Sequence, residues 1–133
     1  MLAEAKGSLV NIAGAAGRTP DANFLIGGSA NAAMMNFTKG LAGLGKRDDV
    51  NVNVILPGMT ETDRVMDLMK QKAAALNISL DDARKQALSK GGARRIGTVE
   101  DIAALTLFLC SPEARHIQGT QITVDGGATD AMS

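Results

Sequence analysis

"NVNVILPG", residues 51–58, gives the clearest strand signal in this 133-residue chain. Its valine and isoleucine side chains are β-branched, which suits a pleated surface, and Pro57-Gly58 stops the run sharply. Residues 51–56 are therefore predicted to form a strand. Two further strands are predicted on either side of it in the sequence: an apolar run at 7–14 that ends in small residues, and an alternating polar and apolar run at 120–124.

Between these strands, apolar residues recur at the three- and four-residue spacing of helices. Residues 62–90 indicate two helices, the second opened by a capping signal at Ser79, and another capping signal at Thr98 begins a helix that ends near residue 111. Strands that alternate with helices are typical of a parallel sheet, so residues 1–133 are predicted to form one α/β domain. A longer helix is predicted at 30–45, where one face carries Ala30, Ala33, Met34, Phe37, Leu41 and Leu44.

Charge and composition exclude several classes of function. Fourteen basic and fourteen acidic side chains cancel, so no overall field favours nucleic acid or an anionic membrane. No apolar run approaches the ~20 residues of a membrane span, and the N-terminus does not look like a secretion signal, which predicts a cytoplasmic protein. Neighbouring carboxylates at 48–49 and 81–82 do not converge, and no His or Cys stands at ligand spacing, so no metal site is expected. Cys110 lies in an apolar run and is expected to be buried.

Short motifs occur along the chain in an order that resembles one protein family. They are the strand ending at Asn11, Phe37-Thr38-Lys39, Val52-Asn53 followed by Pro57-Gly58 and Thr62, Arg95 with Gly97, Glu100-Asp101-Ile102-Ala103, and Val124-Asp125-Gly126-Gly127. With these motifs, nearly the whole chain resembles the C-terminal half of a short-chain dehydrogenase/reductase. The resemblance implies a partial Rossmann-like, doubly wound sheet of three parallel strands with flanking helices. It also implies an oxidoreductase lineage that uses NAD or NADP on carbonyls and alcohols, and a variable, lid-like helical segment at 60–95.

The chain departs from this family at the catalytic positions. Where members place a catalytic Ser, this sequence has Gly14. Where they place a Tyr and, one helical turn later, a Lys that lowers the pKa of the Tyr, it has Gly27 and Asn31. A register three residues earlier puts Phe24 and Gly28 at these positions, and neither register supplies a phenol or an ammonium.

Other residues are poorly placed to replace this apparatus. Lys39 lies eight residues beyond Asn31, roughly 12 Å along a helix. His116 is expected in a solvated loop, and the chain contains no tyrosine. Phe24 could fill the volume of the family's Tyr without its proton. No catalytic residue is therefore expected, and an oxidoreductase-like protein that is inactive as this chain alone is predicted.

The cofactor site is expected to be incomplete as well. The family binds the cofactor pyrophosphate with a Gly-rich turn, and the glycines at 14–17 and 27–28 do not form that fingerprint. Pro57, Gly58, Met59 and Thr62 match the family loop that meets the nicotinamide carboxamide. A strand stop followed by a helix cap explains the same residues equally well. The parent family uses NAD or NADP, and no cofactor is expected on this chain alone.

Partners are expected because a sheet of three strands leaves the first strand with an unpaired apolar edge. The resemblance implies that the last crossover is left-handed, so that the helices at 30–45 and 98–111 cover opposite faces. The chain is therefore predicted to be a homo-oligomer or to require the missing N-terminal half of the fold. Small residues at 29–45 would allow close helix approach, with Met35 expected on an exposed flank. The alternative hypothesis is a non-catalytic remnant that acts as a binding or assembly module.

Overall fold

A parallel sheet flanked by helices is confirmed by the computed structural model, which describes residues 4 and 6–129. Short 3-10 turns lie at 15–17, 22–24 and 112–114. In chain order the strands and longer helices are β1 (Ser8–Ile12), α1 (Leu25–Asp48), β2 (Asn51–Pro57), α2 (Asp63–Leu76), α3 (Leu80–Gly91), α4 (Val99–Leu109) and β3 (Gln121–Val124). The ends of the predicted domain, at 1–3 and 130–133, lie outside the described residues.

Strand β2 is the centre of the sheet, between β1 and β3, and both pairings are parallel. Its side chains Val54, Ile55 and Leu56 have no exposed surface. Alternate side chains of a strand point to opposite faces. Val54 and Leu56 accordingly pack with Met35 of α1, whereas Ile55 packs with Leu109 of α4. The β-branched run identified from the sequence is thus the buried core of the fold.

Helices α1 and α4 cover opposite faces of the sheet, as the resemblance implied. The strands follow one another across the sheet in one direction, so two right-handed crossovers would place both helices on the same face. The two crossovers therefore have opposite hands, and one of them is of the rare left-handed kind. This arrangement gives each face of the sheet a single covering helix.

The two helix starts predicted from capping signals are confirmed, whereas α1, predicted to begin at residue 30, begins at Leu25. The Ser79 hydroxyl accepts a hydrogen bond from the Asp82 N–H at 3.0 Å and caps α3. Thr98 and Asp101 form a complete capping box at the start of α4. Helices α2 and α3 pack against each other, and Arg84 of α3 forms an ion pair with Glu61. Segment 60–95 is thus mainly helical, and its role as a lid stays a prediction.

A buried polar network ties the loop before β3 to strand β2. The Asn51 side-chain amide donates to the carbonyls of Arg115 at 3.1 Å and Ile117 at 2.8 Å. The Asn53 amide nitrogen also donates to the Ile117 carbonyl, at 2.9 Å, and its amide oxygen accepts from the Thr120 N–H at 3.0 Å. Because buried polar groups must be paired, these two amides fix the path of the chain into β3.

Two expectations about burial are wrong. Met35 is 7% exposed and faces the sheet, on the same side of α1 as the buried Thr38, Ala42 and Gly45. Cys110 is exposed, because it is the cap residue after α4 and points away from the core that Leu109 enters. The predicted apolar face of α1 points largely outward, with Ala30, Ala33, Met34, Phe37 and Leu44 exposed.

Two absences apply to the described part of the chain. None of its helices combines the length and apolar character that a membrane span requires. Residues 4 and 6–129 also contain no group of three or more His, Cys, Asp or Glu side chains placed to hold a metal ion.

Candidate functional site

Gly14, which the resemblance aligns with the family's Ser, and Asn31, which one of the two registers aligns with its Lys, face each other across the end of strand β1. Gly14 follows β1, and its N–H donates to the side-chain oxygen of Asn31 on α1 at 2.8 Å. A Cβ atom added at Gly14 would lie 2.8 Å from the Asn31 amide nitrogen. The two residues therefore form a closed contact in which an amide group, which does not titrate near neutral pH, occupies the space in front of β1.

An aromatic ring fills the space at Gly27. Phe24 immediately precedes α1, and its ring lies over Gly27 so closely that a Cβ atom at Gly27 would overlap three ring carbons. Glycine is thus required at position 27 while the ring keeps this place. The ring is 48% exposed and carries no dissociable proton. Phe24 and Gly27, the residues that the two registers align with the family's Tyr, are therefore in direct contact, and the Phe24 ring fills the space beside Gly27.

Lys39 is used elsewhere in the fold. Its ammonium donates to the carbonyl of Gly119, in the turn before β3, at 2.8 Å. Between Lys39 and Asn31 the helix carries Thr38, whose hydroxyl accepts from the Asn11 amide at 2.8 Å and donates to the Met34 carbonyl at 2.7 Å. Lys39 thus joins α1 to the last loop, and the expectation that it does not substitute for the missing lysine stays a prediction.

The predicted nicotinamide-contacting residues line one cavity. Pro57, Gly58, Met59 and Thr62 border a cavity of about 750 Å³, together with apolar side chains of β1 and α4. The structure thus brings all four residues together at the carboxyl end of β2, where open α/β sheets bind ligands.

The same residues also end strand β2 and cap helix α2, the structural roles that the sequence analysis left open. The Gly58 N–H donates to the Val124 carbonyl at 3.0 Å, and a Cβ atom at Gly58 would lie 2.5 Å from that of Asp125. The Thr62 hydroxyl caps α2 by accepting from the Val65 N–H at 3.4 Å. The strand stop and the helix cap are therefore present, and the cavity is present beside them.

A charged pair that the sequence analysis did not single out as a pair holds segment 95–101, which hydrogen-bonds to the loop that contains Met59. Arg95 donates to both carboxylate oxygens of Asp101 at 2.7 Å. The Arg95 guanidinium and, after it, the Thr98 N–H hold the pKa of Asp101 well below its usual range. Gly97, between these residues, donates its N–H to the Met59 carbonyl at 2.9 Å. The pair thereby supports the loop that contains Met59.

Comparisons with known proteins identify the family of this chain. Residues 1–129 match the family model described as enoyl-(acyl carrier protein) reductase. An NADPH-dependent reductase of Bacillus subtilis is 34% identical over 126 residues, which are 95% of this chain and 49% of that protein. The chain belongs to the short-chain dehydrogenase/reductase family. It also resembles the 7alpha-hydroxysteroid dehydrogenase of Bacteroides fragilis, with 33% identity over 97% of this chain and 46% of the relative.

A solved structure of this family supports the fold. The L-sorbose reductase of Gluconobacter frateurii, complexed with NADPH and L-sorbose, superposes with a TM-score of 0.89 at 26% identity, over 95% of this chain and 48% of that protein. The short-chain dehydrogenase/reductase chain described here therefore spans about half the length of the relatives it matches.

Proposed function

We propose that this chain is an oxidoreductase-like member of its family that keeps the nicotinamide side of the fold but cannot supply the proton that carbonyl reduction requires. The observation that carries the proposal is the occupation of the acid/base positions. Gly14 is closed by the Asn31 amide, and Gly27 lies under the Phe24 ring. Neither the amide nor the ring can give or take a proton near neutral pH.

The chemistry explains why this loss is decisive. Hydride transfer from a reduced nicotinamide to a carbonyl leaves negative charge on the oxygen, and a positioned acid must neutralise that charge. General acid catalysis contributes typically ~10²–10⁴-fold to such a step. The Lys39 ammonium is held on the Gly119 carbonyl and lies two helical turns beyond Asn31. The chain alone is accordingly proposed to have no reductase activity.

We infer further that the chain corresponds to the C-terminal half of its relatives. The cofactor fingerprint of a Rossmann fold is a tight Gly-rich turn that leads directly from a strand into a helix. In this chain Ile12 ends β1 and Leu25 begins α1, and two 3-10 turns lie between them. That connection supports placing the pyrophosphate-binding turn in the other half of the fold.

A cofactor contact is proposed for Pro57, Gly58, Met59 and Thr62. NADPH and NADH occur in solved relatives, among them the L-sorbose reductase with NADPH and a 4-hydroxyisoleucine dehydrogenase with NADH. Pro57–Thr62 would contact the nicotinamide end only. Without a pyrophosphate-binding turn, this chain alone is proposed to bind neither NADH nor NADPH tightly.

The second candidate function is that of a cytoplasmic binding or assembly module, either as a homo-oligomer or joined to the other half of the fold. The apolar surface of α1 favours it, since Ile26 is 90% exposed and Phe37 60% exposed on the same helix. Exposed apolar patches of this kind mark interaction sites. The two functions are compatible, because a chain that has lost acid/base groups can retain its packing surfaces.

Two measurements on the purified chain test the proposal. Titration with NADH and NADPH, monitored by cofactor fluorescence, tests cofactor binding. The absorbance of each cofactor during incubation with carbonyl substrates tests reductase activity. The expected result is no saturable binding and no carbonyl-dependent oxidation of either cofactor. A carbonyl-dependent loss of NADPH absorbance that scales with the concentration of this chain, with the alcohol formed in equal amount, would refute it.

A further inference from the structure

A second cavity lies at the amino end of β2, the opposite end of the strand from Pro57 and Gly58. It has a volume of about 250 Å³ and is lined by residues from two segments, 45–51 and 115–118. The first segment joins α1 to β2, and the second leads into β3. The length of β2 separates this cavity from the proposed cofactor contact, so an inference about its ligand is independent of the proposed function.

Three basic side chains line this basic cavity: Lys46, Arg115 and His116. Within residues 4 and 6–129, Lys46 and His116 form no hydrogen bond or ion pair, so both are available to a ligand. Arg115 donates to the Lys6 carbonyl at 2.8 Å and to the carbonyl and carboxylate oxygens of Asp49 at 3.2 and 2.8 Å. A guanidinium has five N–H groups, so two of those on Arg115 remain unused.

Asp49, the carboxylate among the lining residues, is already neutralised. It contacts the Arg115 guanidinium at 2.8 Å and the Lys6 ammonium at 3.5 Å. The C-terminal end of α1 also borders the cavity, and its Gly45 carbonyl accepts from the Val50 N–H at 2.9 Å, which satisfies one of the carbonyls that a helix end leaves free. The cavity therefore has an excess of positive charge over negative charge.

A buried acceptor without a donor lies in the same cavity. Asn51 is 3% exposed, and its amide nitrogen faces three backbone carbonyls, those of Ala114, Arg115 and Ile117. These contacts fix the orientation of the amide, because only its nitrogen can donate to carbonyls. The amide oxygen accepts no hydrogen bond from any residue that the structure describes. Buried polar groups normally have a partner, so this oxygen indicates a donor that the chain itself does not supply.

The Asn51 oxygen faces the basic cavity. Among the described residues that are not exposed, Arg84 Nε is the side-chain polar atom that is fully enclosed without a hydrogen-bond partner. The Asn51 oxygen, which has no partner either, must therefore keep accessible surface, and the cavity that Asn51 lines provides it. Gln118, the other amide in the cavity wall, uses both ends: its oxygen accepts from the Val52 N–H at 2.8 Å, and its nitrogen donates to two carbonyls. Asn51 is thus the amide that offers a free atom to a ligand.

We propose that the basic cavity binds free phosphate in a form that carries a proton. The phosphate oxygens accept from Lys46, Arg115 and His116, and the P–OH group donates to the Asn51 oxygen. Sulfate is also a tetrahedral anion, but it carries no proton at neutral pH and would set a negative oxygen against the Asn51 oxygen, so the site selects phosphate. A phosphate monoester has a second pKa of about 6 and has lost most of that proton at pH 7, which makes free phosphate the favoured source.

Nuclear magnetic resonance of His116, the single histidine of the chain, tests the proposal on the unmodified protein. Its ring signals are followed while phosphate, sulfate or glycerol phosphate is added to separate samples at pH 7 and constant ionic strength. We expect a saturable shift with phosphate and an affinity at least about tenfold weaker for sulfate, the effect of one unmade hydrogen bond to a buried acceptor. Glycerol phosphate should also bind more weakly than phosphate. A shift that does not saturate with phosphate, or equal affinities for phosphate and sulfate, would overturn the proposal.

A matched pair of variants locates the binding site. Lys46→Gln removes a charge from the basic cavity, whereas Lys72→Gln removes the same charge from an exposed position on α2. The affinity for phosphate should fall about two- to fivefold in Lys46→Gln and stay unchanged in Lys72→Gln, with the same circular dichroism spectrum for both variants. Equal affinities in the two variants would show that the cavity does not hold the ion and would reject the proposal.

Discussion

A methyl group added at Gly27 tests whether the Phe24 ring truly fills the space beside it. In Gly27→Ala the new Cβ would overlap the ring, so the ring must leave. Phe24 is 48% exposed, so its displacement loses about half of what full burial of the side chain would contribute. Full burial of such a side chain is worth about 1.5–3 kcal/mol, which makes this loss about 1 kcal/mol. Replacing a helical glycine by alanine returns about 0.5–1 kcal/mol. The net change in the free energy of unfolding should be close to zero.

The same substitution should behave differently when the ring is removed first. In a Phe24→Ala background the three overlapping ring carbons are gone, and Gly27→Ala should raise the free energy of unfolding by about 0.5–1 kcal/mol. Urea unfolding followed by circular dichroism measures all four proteins of this cycle, with an expected coupling of about 1 kcal/mol. Gly40→Ala is the control, since no described atom lies within 4 Å of its added Cβ, and it should stabilise both backgrounds equally. Equal effects of Gly27→Ala in the two backgrounds would refute the proposed filling of the site.

Three further predictions concern the scaffold. Gly45→Ala should destabilise the chain by about 1–3 kcal/mol in urea unfolding, because its Cβ would overlap a backbone carbonyl of residue 50. Gly43→Ala, with open space among the described residues, should stabilise the chain by about 1 kcal/mol. Similar effects at both positions would contradict the close approach of α1 to β2. Asn51→Ala should lower the free energy of unfolding by about 2 kcal/mol, because the amide of this buried residue donates hydrogen bonds to carbonyls in the loop before β3. A change within experimental error would show that water replaces the amide. The lowered pKa of Asp101 implies a stabilisation of the folded state that is complete above about pH 4 and is lost as the pH falls through the pKa of the folded state. Urea midpoints measured from pH 5 to pH 2 should therefore fall more steeply for the parent chain than for Asp101→Asn. Parallel curves for the two proteins would disprove this prediction.

The fold could be predicted from the sequence because its strongest patterns coincide with its most buried elements. The β-branched run at 51–56 is the central strand, and the capping residues Ser79 and Thr98 stand where α3 and α4 begin. Periodicity predicted the central part of α1, at 30–45 of the observed Leu25–Asp48, but did not identify which face meets the sheet. Small residues, among them Ala42 and Gly45, carry little hydrophobic signal, yet they line the side of α1 that approaches β2.

The candidate site could be predicted in part. Motif spacing left two registers open for the family's Tyr and Lys, Gly27 with Asn31 or Phe24 with Gly28, and the structure places all four residues close to the end of β1 or the start of α1 without deciding between them. The position of the Phe24 ring over Gly27 depends on the turn before α1, which no periodic pattern describes. The pairing of Arg95 with Asp101 joins residues on either side of a helix start and could not be read from charge order alone.

The most direct measurement of the central claim uses a chimera in which the N-terminal half of the Bacillus subtilis NADPH-dependent reductase precedes this chain. NADPH fluorescence measures cofactor binding, and NADPH absorbance with the carbonyl substrate of that reductase measures turnover. We expect the chimera to bind NADPH without turnover, and the same chimera with Gly14→Ser, Phe24→Ala, Gly27→Tyr and Asn31→Lys to reduce the carbonyl. Carbonyl-dependent NADPH oxidation by the unmodified chimera, at a rate equal to that of the substituted chimera, would contradict the claim that the chain lacks a proton donor.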